Sequence, residues 1–298
     1  DELTRGCRST ATALQCLFCA EQYRHGHVYR SGEDLVTAEV AMARDNGVCS
    51  YSVDHSGELA KLTAADLPPG TEVAVRFKLP VAGAAYDFGA KFGASPEEAV
   101  ALLSQAARAG FSPALTFHPG TQCADPRAWA AYIAEAARIA RAAGVTLSRL
   151  NVGGGFPSRR MQAERPPLDA IFDAIDRATR SAFGASAPPL LCEPGRALAA
   201  EAVSLALRVK SLRGGSHVYL NDGIYGALAE QPLMGMTDRI TVVSPDGLRR
   251  GDTVPRVLWG PTCDSLDRIP GEVELPDDME EGDWLLLHGM GAYSTATV

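Results

Sequence analysis

The chain has 298 residues, of which 46% are hydrophobic and 21% are charged, an ordinary globular composition with room for two domains. A net charge of −8 without any basic run argues against nucleic acid as a partner. No apolar stretch approaches the roughly 20 residues of a membrane helix, and the start lacks the apolar core of a signal peptide. We therefore expect a cytoplasmic protein with no membrane partner.

The seven cysteines are scattered along the chain, which suits free thiols in a reducing compartment better than a disulfide framework. Cys16 and Cys19 form a single CxxC pair, and no second pair completes a zinc site. We interpret this pair as two thiols on a helix face, with metal or redox chemistry as the alternative. The sequence thus predicts no metal site.

Up to about Arg196, short apolar runs alternate with helical patterns. Ser95 is suited to cap the start of one helix, and Gly144 is suited to end the next. Strands are expected at 72–79, 113–118, 147–155 and 189–192. Helices are expected from 96 to about 110, over 126–143 and from 167 to about 183.

This alternation predicts parallel β/α architecture, as a β/α barrel or as a doubly wound open sheet. The barrel is favoured because polar or glycine-rich residues repeatedly follow the strands, where barrel active sites form. After about residue 202 the apolar runs are separated by Gly, Asp and Pro turns, which predicts an all-β domain. We therefore expect a barrel domain over 1–202 and a β domain over 203–298.

Three strand ends carry residues suited to binding an anionic ligand. Gly153, Gly154 and Gly155 allow backbone N–H groups to approach a phosphate, although a plain tight turn explains them as well. Glu193 and Arg196, in CEPGR, place a carboxylate and a guanidinium after the last of these strands. A surface pair in a loop is the alternative. His118 also follows a strand, where it has either a structural or a ligand-stacking role.

Two further motifs lie in the expected β domain. Cys263 and Asp264 follow a Gly-Pro turn, which is the setting of either a catalytic thiol beside a charged neighbour or a buried cysteine near surface acids. Tyr293 follows the small residues of GMGA, which bring the backbone close to another group, and its hydroxyl offers one hydrogen bond.

The ordered motifs GGGFP, CEPGR, YLNDGIYG, WGPTCDSLD and GDWLLLHGMGAYSTA resemble the signature series of the fold-type III pyridoxal-phosphate-dependent decarboxylases. That family acts on ornithine, lysine, arginine and diaminopimelate, and WGPTCDSLDR is most similar to the ornithine enzymes. The resemblance runs from about Gly6 to the last residue. It implies an alanine-racemase-like barrel that holds pyridoxal 5'-phosphate, followed by a β domain that completes the active site of a homodimer.

The resemblance also implies individual roles for residues around the cofactor. Glu193 is expected at the pyridine nitrogen, where a carboxylate keeps the ring an electron sink. His118 is expected to stack on the ring, with Thr121 where the family usually has Ser, and with Arg76 near the ring hydroxyl. The residues expected to hold the phosphate are Gly153, Gly154, Gly155, Gly195, Arg196 and Tyr293.

Four residues are expected to act at or across the dimer interface. Cys263 matches the cysteine that returns a proton to the α-carbon after carbon dioxide leaves, and Asp264 matches the residue that binds a distal ammonium. Both serve the partner subunit's site in the family, so a monomer is expected to be inactive. Lys91 and Asp267 match an ion pair that bridges the interface.

The lysine that anchors the cofactor in the family has no counterpart here. The chain has Lys61, Lys78, Lys91 and Lys210, none of them in the family's Tyr-Ala-x-Lys-Ala-Asn context. Alignment of Gly6–Ser9 with the family's Asp-Cys-Ala-Ser segment places that lysine, and the first barrel strand, before residue 1. The end at Val298 also falls short of the family's usual final strand and helix. The sequence either omits segments of the full protein, which we favour, or belongs to a lysine-less homologue or a crystallised fragment.

A second departure concerns the substrate. Ornithine enzymes carry an Asp-His pair shortly after the YLNDGIYG position, where this chain has AEQPLM, so one expected carboxylate is missing or replaced by Glu230. We expect decarboxylation of ornithine or lysine to the amine, as in polyamine biosynthesis. A decarboxylase of an amino acid without a distal amine, a catalytically inactive regulatory homologue and a racemase are the alternatives, and the Cys263–Asp264 motif argues against the racemase.

Overall fold

The computed structural model describes residues 32–86 and 88–294. Cys16, Cys19 and the Gly6–Ser9 segment lie outside the described residues. The described chain divides into two compact units. The first, here called the parallel unit, contains residues 32–156 and 167–194, and the second, the β unit, contains 157–166 and 195–294.

The parallel unit is built on five strands that pair in sequence order, each parallel to the next. They are β1 (Ser50–Val53), β2 (Glu72–Arg76), β3 (Ser112–Thr116), β4 (Leu150–Asn151) and β5 (Leu190–Leu191). A doubly wound sheet reverses its strand order at a switch point, whereas a barrel adds each strand beside the last. The order without reversal is that of a β/α barrel, and the open-sheet alternative does not fit it.

Five α-helices accompany these strands in the described part of the chain. They are α1 (Gly32–Asp45), α2 (Ser56–Ala64), α3 (Pro96–Arg108), α4 (Pro126–Ala143) and α5 (Leu168–Phe183). The helix α1 precedes β1, and the other four connect consecutive strands, as parallel pairing requires. The predicted caps are confirmed: Ser95 and Glu98 form a reciprocal capping box, and Gly144 ends α4 with a φ of 69°. No helix in the described residues is long and apolar enough to cross a membrane.

An aromatic cluster fills the centre of the parallel unit. Phe117 stacks on Tyr132 with ring centroids 4.5 Å apart, and Phe77 meets both rings at 5.8 and 5.5 Å. Trp129 is fully buried and packs against Phe156. These side chains come from the ends of β2 and β3, from α4 and from the loop after β4, so the core fixes the loops at the carboxyl edge of the sheet.

The β unit contains a seven-stranded mixed sheet in the order β11-β10-β7-β6-β12-β8-β9. Its strands are β6 (Leu205–Arg213), β7 (His217–Leu220), β8 (Ile240–Ser244), β9 (Gly247–Leu248), β10 (Thr253–Trp259), β11 (Val273–Pro276) and β12 (Trp284–Leu287). Two short helices, α6 (Gly195–Ala199) and α7 (Gln231–Met234), accompany the sheet. Its core is aliphatic and includes Leu207, Val209, Val218, Leu220, Leu258, Leu285 and Leu287.

Several element boundaries differ from the predictions. The strands β4 and β5 have two residues each, because the backbone leaves the ladder early to form the loops that follow. The predicted strand at 72–79 ends at Arg76. The elements that were not predicted are the strands β1, β9 and β11 and the helices α1, α2, α6 and α7. The division after residue 202 stays a prediction, while the contacts place 157–166 with the β unit.

Glu72 on β2 links three strands near their amino ends. Its carboxylate accepts hydrogen bonds from Arg149 at 2.6 Å, Ser50 at 2.7 Å and Ser148 at 3.2 Å. Partial burial acts to raise the pKa of Glu72, but these hydrogen bonds together outweigh burial and lower it. A lowered folded-state pKa means that the stabilisation is present above the unfolded pKa of about 4 and is lost as the pH falls through the folded value.

We therefore expect Glu72→Gln to lower the free energy of unfolding at neutral pH by about 1–2 kcal/mol. At acid pH, where the native carboxylate is itself protonated, the difference from the native chain should shrink. Urea unfolding at both pH values measures this, with Glu58→Gln, in an exposed pair with Lys61, as the control. A loss that does not change with pH would contradict the expected charge effect.

Candidate active site

The glycine loop of residues 153–155 follows β4 at the carboxyl edge of the sheet. Gly153 has a φ of 70°, and a Cβ atom there would lie 1.9 Å from the carbonyl oxygen of Phe117. Gly155 has a φ of 85°, and its Cβ would lie 2.1 Å from the carbonyl oxygen of Gly120. Only glycine fits these positions, so this loop presents backbone rather than side chains.

Glu193, after β5, is tied to the same loop. Its backbone N–H donates to the carbonyl of Gly153 at 2.8 Å, and its carboxylate accepts from the Asn151 side-chain amide at 2.7 Å. The Oδ1 atom of Asn151 in turn accepts from the Gly153 N–H at 2.9 Å. No role in the site was predicted for Asn151. Its position two residues before the first glycine of the loop was the one signal in the sequence that pointed to it.

His118 lies in the loop after β3. Its Nδ1 accepts a hydrogen bond from the Gly120 N–H at 3.0 Å, so the proton of the neutral ring is on Nε2. Phe88 meets the imidazole edge-on with centroids 4.9 Å apart. A Cβ on Gly154 would lie 3.0 Å from His118 Nε2 and 2.9 Å from the Glu193 carbonyl, so this glycine lies between the two loops.

Thr121 and Arg76 occupy neighbouring parts of the same unit. The backbone of Thr121 pairs with residues 85 and 86 through two hydrogen bonds of 2.9 Å. Arg76, the last residue of β2, has its guanidinium 5.4 Å from the centroid of Phe92, and Lys91 Nζ is 5.0 Å from the same ring. Both cations thus lie near the Phe92 ring, although we expected Arg76 at the cofactor and Lys91 at an interface.

Arg196, in the β unit, is buried, with 6% of its surface exposed. It forms an ion pair with Glu230 through both terminal nitrogens. Its guanidinium also lies 4.7 Å from the ring centroid of Tyr293. Within the described residues its Nε atom is buried without a hydrogen-bond partner. Buried donors are normally satisfied, so the described residues leave this donor without the acceptor that it would ordinarily have. Gly195 precedes it with open space around its Cβ position.

A second buried arginine, Arg160, was not predicted. It follows the GGGFP motif and donates to the Gln231 side chain at 2.9 Å and to the Gly235 carbonyl. Burial lowers the pKa of Arg160, and the nearby charge of Arg196 lowers it further. Two buried guanidinium groups thus lie near Glu230, and Glu164 also accepts from the backbone N–H of Arg160 at 3.0 Å.

The Cys263 and Asp264 loop of the β unit is joined to the YLNDGIYG motif. Tyr225, 55% exposed, donates its hydroxyl to Asp264 at 2.6 Å, and Leu266 N–H donates at 2.9 Å. These two hydrogen bonds, that of Tyr225 first, lower the pKa of Asp264, so it is charged at neutral pH. Cys263 beside it has an exposed free thiol. No role had been predicted for Tyr225.

Asp267 is almost fully buried, with an exposure of 1%. Its carboxylate accepts from Thr262 at 2.8 and 3.1 Å and from the Ile224 N–H at 3.0 Å. It therefore organises the loop of its own chain. An ion pair with Lys91 of a second copy stays a prediction and would require the carboxylate to exchange some of these contacts.

The predicted site residues are therefore divided between the two units. The parallel unit brings together the glycine loop, His118 and Glu193. The β unit joins Arg196 to Tyr293 and, separately, places Cys263 beside Asp264. Among the lysines, Lys61 pairs with Glu58 on α2, and Lys78 donates to the Gly89 carbonyl at 2.7 Å.

Comparison with known proteins places these features in context. Residues 27–200 match the family model described as the pyridoxal binding domain of pyridoxal-dependent decarboxylases. The decarboxylase flvG of Aspergillus flavus is 30% identical over 281 residues, which cover 87% of this chain and 63% of that protein. Antizyme inhibitor 2 of Xenopus laevis is 29% identical over 287 residues, covering 87% of this chain and 60% of that protein.

A solved structure, the arginine decarboxylase of Paramecium bursaria Chlorella virus, superposes with a TM-score of 0.75 at 26% identity. The match covers 88% of this chain and 70% of that one. Proteins named ornithine decarboxylase, from Neurospora crassa and Cricetulus griseus, are also among the relatives. This chain spans about three-fifths of the length of the curated relatives it matches, between 58% and 63% for the first four.

Proposed function

This chain belongs to the family of pyridoxal-dependent decarboxylases, and we propose that the protein decarboxylates a basic amino acid, ornithine or lysine, using pyridoxal phosphate. The observation that carries the proposal is the glycine loop at the carboxyl edge of the sheet. There, Gly153 hydrogen-bonds both to the backbone of Glu193 and to the Asn151 side chain that holds the Glu193 carboxylate. One rigid assembly thus offers a phosphate cradle and a carboxylate.

The residues present fit the cofactor. Gly153 and Gly155 have no space for a side chain, because a Cβ on either would meet the backbone carbonyl of Phe117 or of Gly120. We propose that the backbone of this close-packed loop holds the phosphate. We propose, as the family resemblance implies, that Arg196 also binds the phosphate; its Nε lacks a hydrogen-bond partner within the described residues. Glu193 exposes a carboxylate for the pyridine nitrogen. We propose that Tyr293, His118, Thr121, Gly195 and Arg76 complete the site.

The residues of the chain then have distinct tasks. When bound, pyridoxal phosphate supplies a sink for the electron pair that remains as carbon dioxide leaves. Glu193 favours a protonated pyridine nitrogen by its negative charge. His118, held by Gly120 and Phe88, would place its imidazole against the cofactor ring. The Cys263 Sγ–H donates a proton to the α-carbon.

We also propose a homodimer in the cytoplasm in which Cys263 and Asp264 act in the partner subunit's site, as the family resemblance implies. The exposure of Cys263 in the single chain supports this arrangement, because a proton donor must be accessible to a substrate held elsewhere. Asp264, whose carboxylate accepts from Tyr225 and from the Leu266 N–H, is the group that we propose for pairing with an ammonium group. Lys91 and Asp267 are the proposed interface pair.

Asp264 is the proposed determinant for basic substrates, since Glu230 is already paired with Arg196. We expect Asp264→Asn to raise KM for ornithine or lysine by about 10–100-fold, because a charge-assisted contact is lost. Cofactor affinity should be unchanged. Steady-state kinetics test this, with Asp246→Asn in an exposed turn as the control. An unchanged KM would instead favour a substrate without a distal amine.

The second candidate is a catalytically inactive regulatory homologue, which the likeness to an antizyme inhibitor favours. The two candidates differ in covalent cofactor attachment. The complete natural protein should be mixed with pyridoxal phosphate and reduced with borohydride, which fixes a lysine-bound cofactor to its peptide for mass spectrometry. A labelled lysine supports the enzyme. Absence of any labelled lysine would contradict it and favour the inactive homologue.

A further inference from the structure

We infer that Asn151 is a positioning residue, whose side-chain amide couples the glycine loop to Glu193 and orients that carboxylate. The inference rests on the proposed function, in which the loop holds the phosphate and Glu193 faces the pyridine nitrogen. Asn151 is the last residue of β4, two positions before Gly153. Asn151 itself need not touch the cofactor.

Three hydrogen bonds carry the inference, and they form a closed ring. The Gly153 N–H donates to Asn151 Oδ1 at 2.9 Å, and Asn151 Nδ2 donates to Glu193 Oε1 at 2.7 Å. The Glu193 N–H donates to the Gly153 carbonyl at 2.8 Å, which closes the ring. Because each member restrains the other two, a displacement of the loop is transmitted to the carboxylate, and the reverse also holds.

The chemistry of the amide suits this place better than a carboxylate would. One end of the asparagine must accept from a backbone N–H while the other must donate to a carboxylate, and only an amide does both without a proton from solvent. Aspartate has nearly the same shape and keeps the acceptor toward Gly153. It loses the donor toward Glu193 and puts two carboxylates within hydrogen-bond distance, where like charges repel.

Two titratable groups flank this ring. Cys192 precedes Glu193, and its thiol pKa is raised by burial and then by the charge of Glu193. His118 lies across Gly154 from the Glu193 carbonyl, as the contacts of a Cβ placed on that glycine indicate. Both groups are present in native and variant proteins, so a comparison of the two at each pH removes their contribution.

The test measures the dissociation constant of pyridoxal phosphate for the complete protein and for Asn151→Asp, from the cofactor absorbance. We expect Asn151→Asp to bind about tenfold more weakly at about pH 8, where both carboxylates repel. At about pH 5.5 the difference should fall below about threefold, because a proton shared between the carboxylates restores a donor. Asn46→Asp, which adds the same charge at the exposed end of α1, should bind like the native protein.

Equal binding by Asn151→Asp and the native protein at both pH values would overturn the inference. A loss of the same size at both pH values would also overturn it, since it would indicate damage to the loop rather than loss of the donor. Failure of the native protein to bind the cofactor would contradict the proposed function instead. In that case thermal unfolding tests the role of Asn151. Asn151→Asp should lower Tm more at the higher pH than at the lower pH, and a Tm equal to that of the native protein at both pH values would refute the coupling.

Discussion

Gly153→Ala is expected to lower the free energy of unfolding by about 3–5 kcal/mol and to weaken pyridoxal phosphate binding by more than about 100-fold. The added Cβ would lie 1.9 Å from the carbonyl oxygen of Phe117, which belongs to backbone and cannot rotate away. The positive φ of 70° adds the cost of a left-handed conformation for alanine. The loop must therefore shift, and Glu193 shifts with it.

Gly144→Ala is the matched control for this variant. Gly144 has nearly the same φ, 69°, but its Cβ would meet nothing within 4 Å. It should therefore show only the left-handed penalty of about 1–2 kcal/mol and no change in cofactor affinity. Denaturant unfolding and absorbance titration measure both effects. If Gly153→Ala behaved like Gly144→Ala in both, the close packing of the loop would not be a requirement for binding.

Cys263→Ala is expected to keep cofactor affinity within about twofold while the yield of the correct amine falls by about 100-fold or more, the usual size of a general-acid contribution. The thiol is exposed in the chain and lies beside Asp264, away from the aliphatic core of the β unit. Its removal should therefore leave stability nearly unchanged. The loss should affect the protonation step rather than the release of carbon dioxide.

Product analysis by mass spectrometry separates these steps, since carbon dioxide release and amine formation are measured in one reaction. Cys49→Ala is the control, because it removes an exposed thiol that lies in the parallel unit, whereas Cys263 lies in the β unit. It should behave like the native protein. An unchanged amine yield in Cys263→Ala would remove Cys263 from the mechanism.

Local signals in the sequence predicted much of the parallel unit. Ser95 with Glu98, and Gly144, define helix ends through contacts between neighbours in sequence, so α3 and α4 were predictable. The lengths of the two-residue strands β4 and β5 were overestimated, because the apolar runs in the sequence continue beyond the last residues that pair in the sheet. The β11 strand was missed because the VELP run is short, carries a glutamate and ends in proline.

The site was predictable where a motif carries its own chemistry, as in the glycine loop and Glu193. Asn151, Arg160 and Tyr225 were missed because their roles depend on partners distant in sequence: Glu193, Gln231 and Asp264. The pairing of Arg196 with Glu230 could not be foreseen for the same reason. Nothing in a linear pattern specifies which carboxylate meets which guanidinium across 34 residues.

The most direct test of the proposed function is carbon dioxide release by the complete natural protein, loaded with pyridoxal phosphate and offered a panel of carboxyl-labelled amino acids. The panel should include ornithine, lysine, arginine and amino acids without a distal amine. We predict release from ornithine or lysine, with the matching amine formed in equal amount. Release from no amino acid, by protein that binds the cofactor, would contradict the decarboxylase function and identify the protein as an inactive homologue.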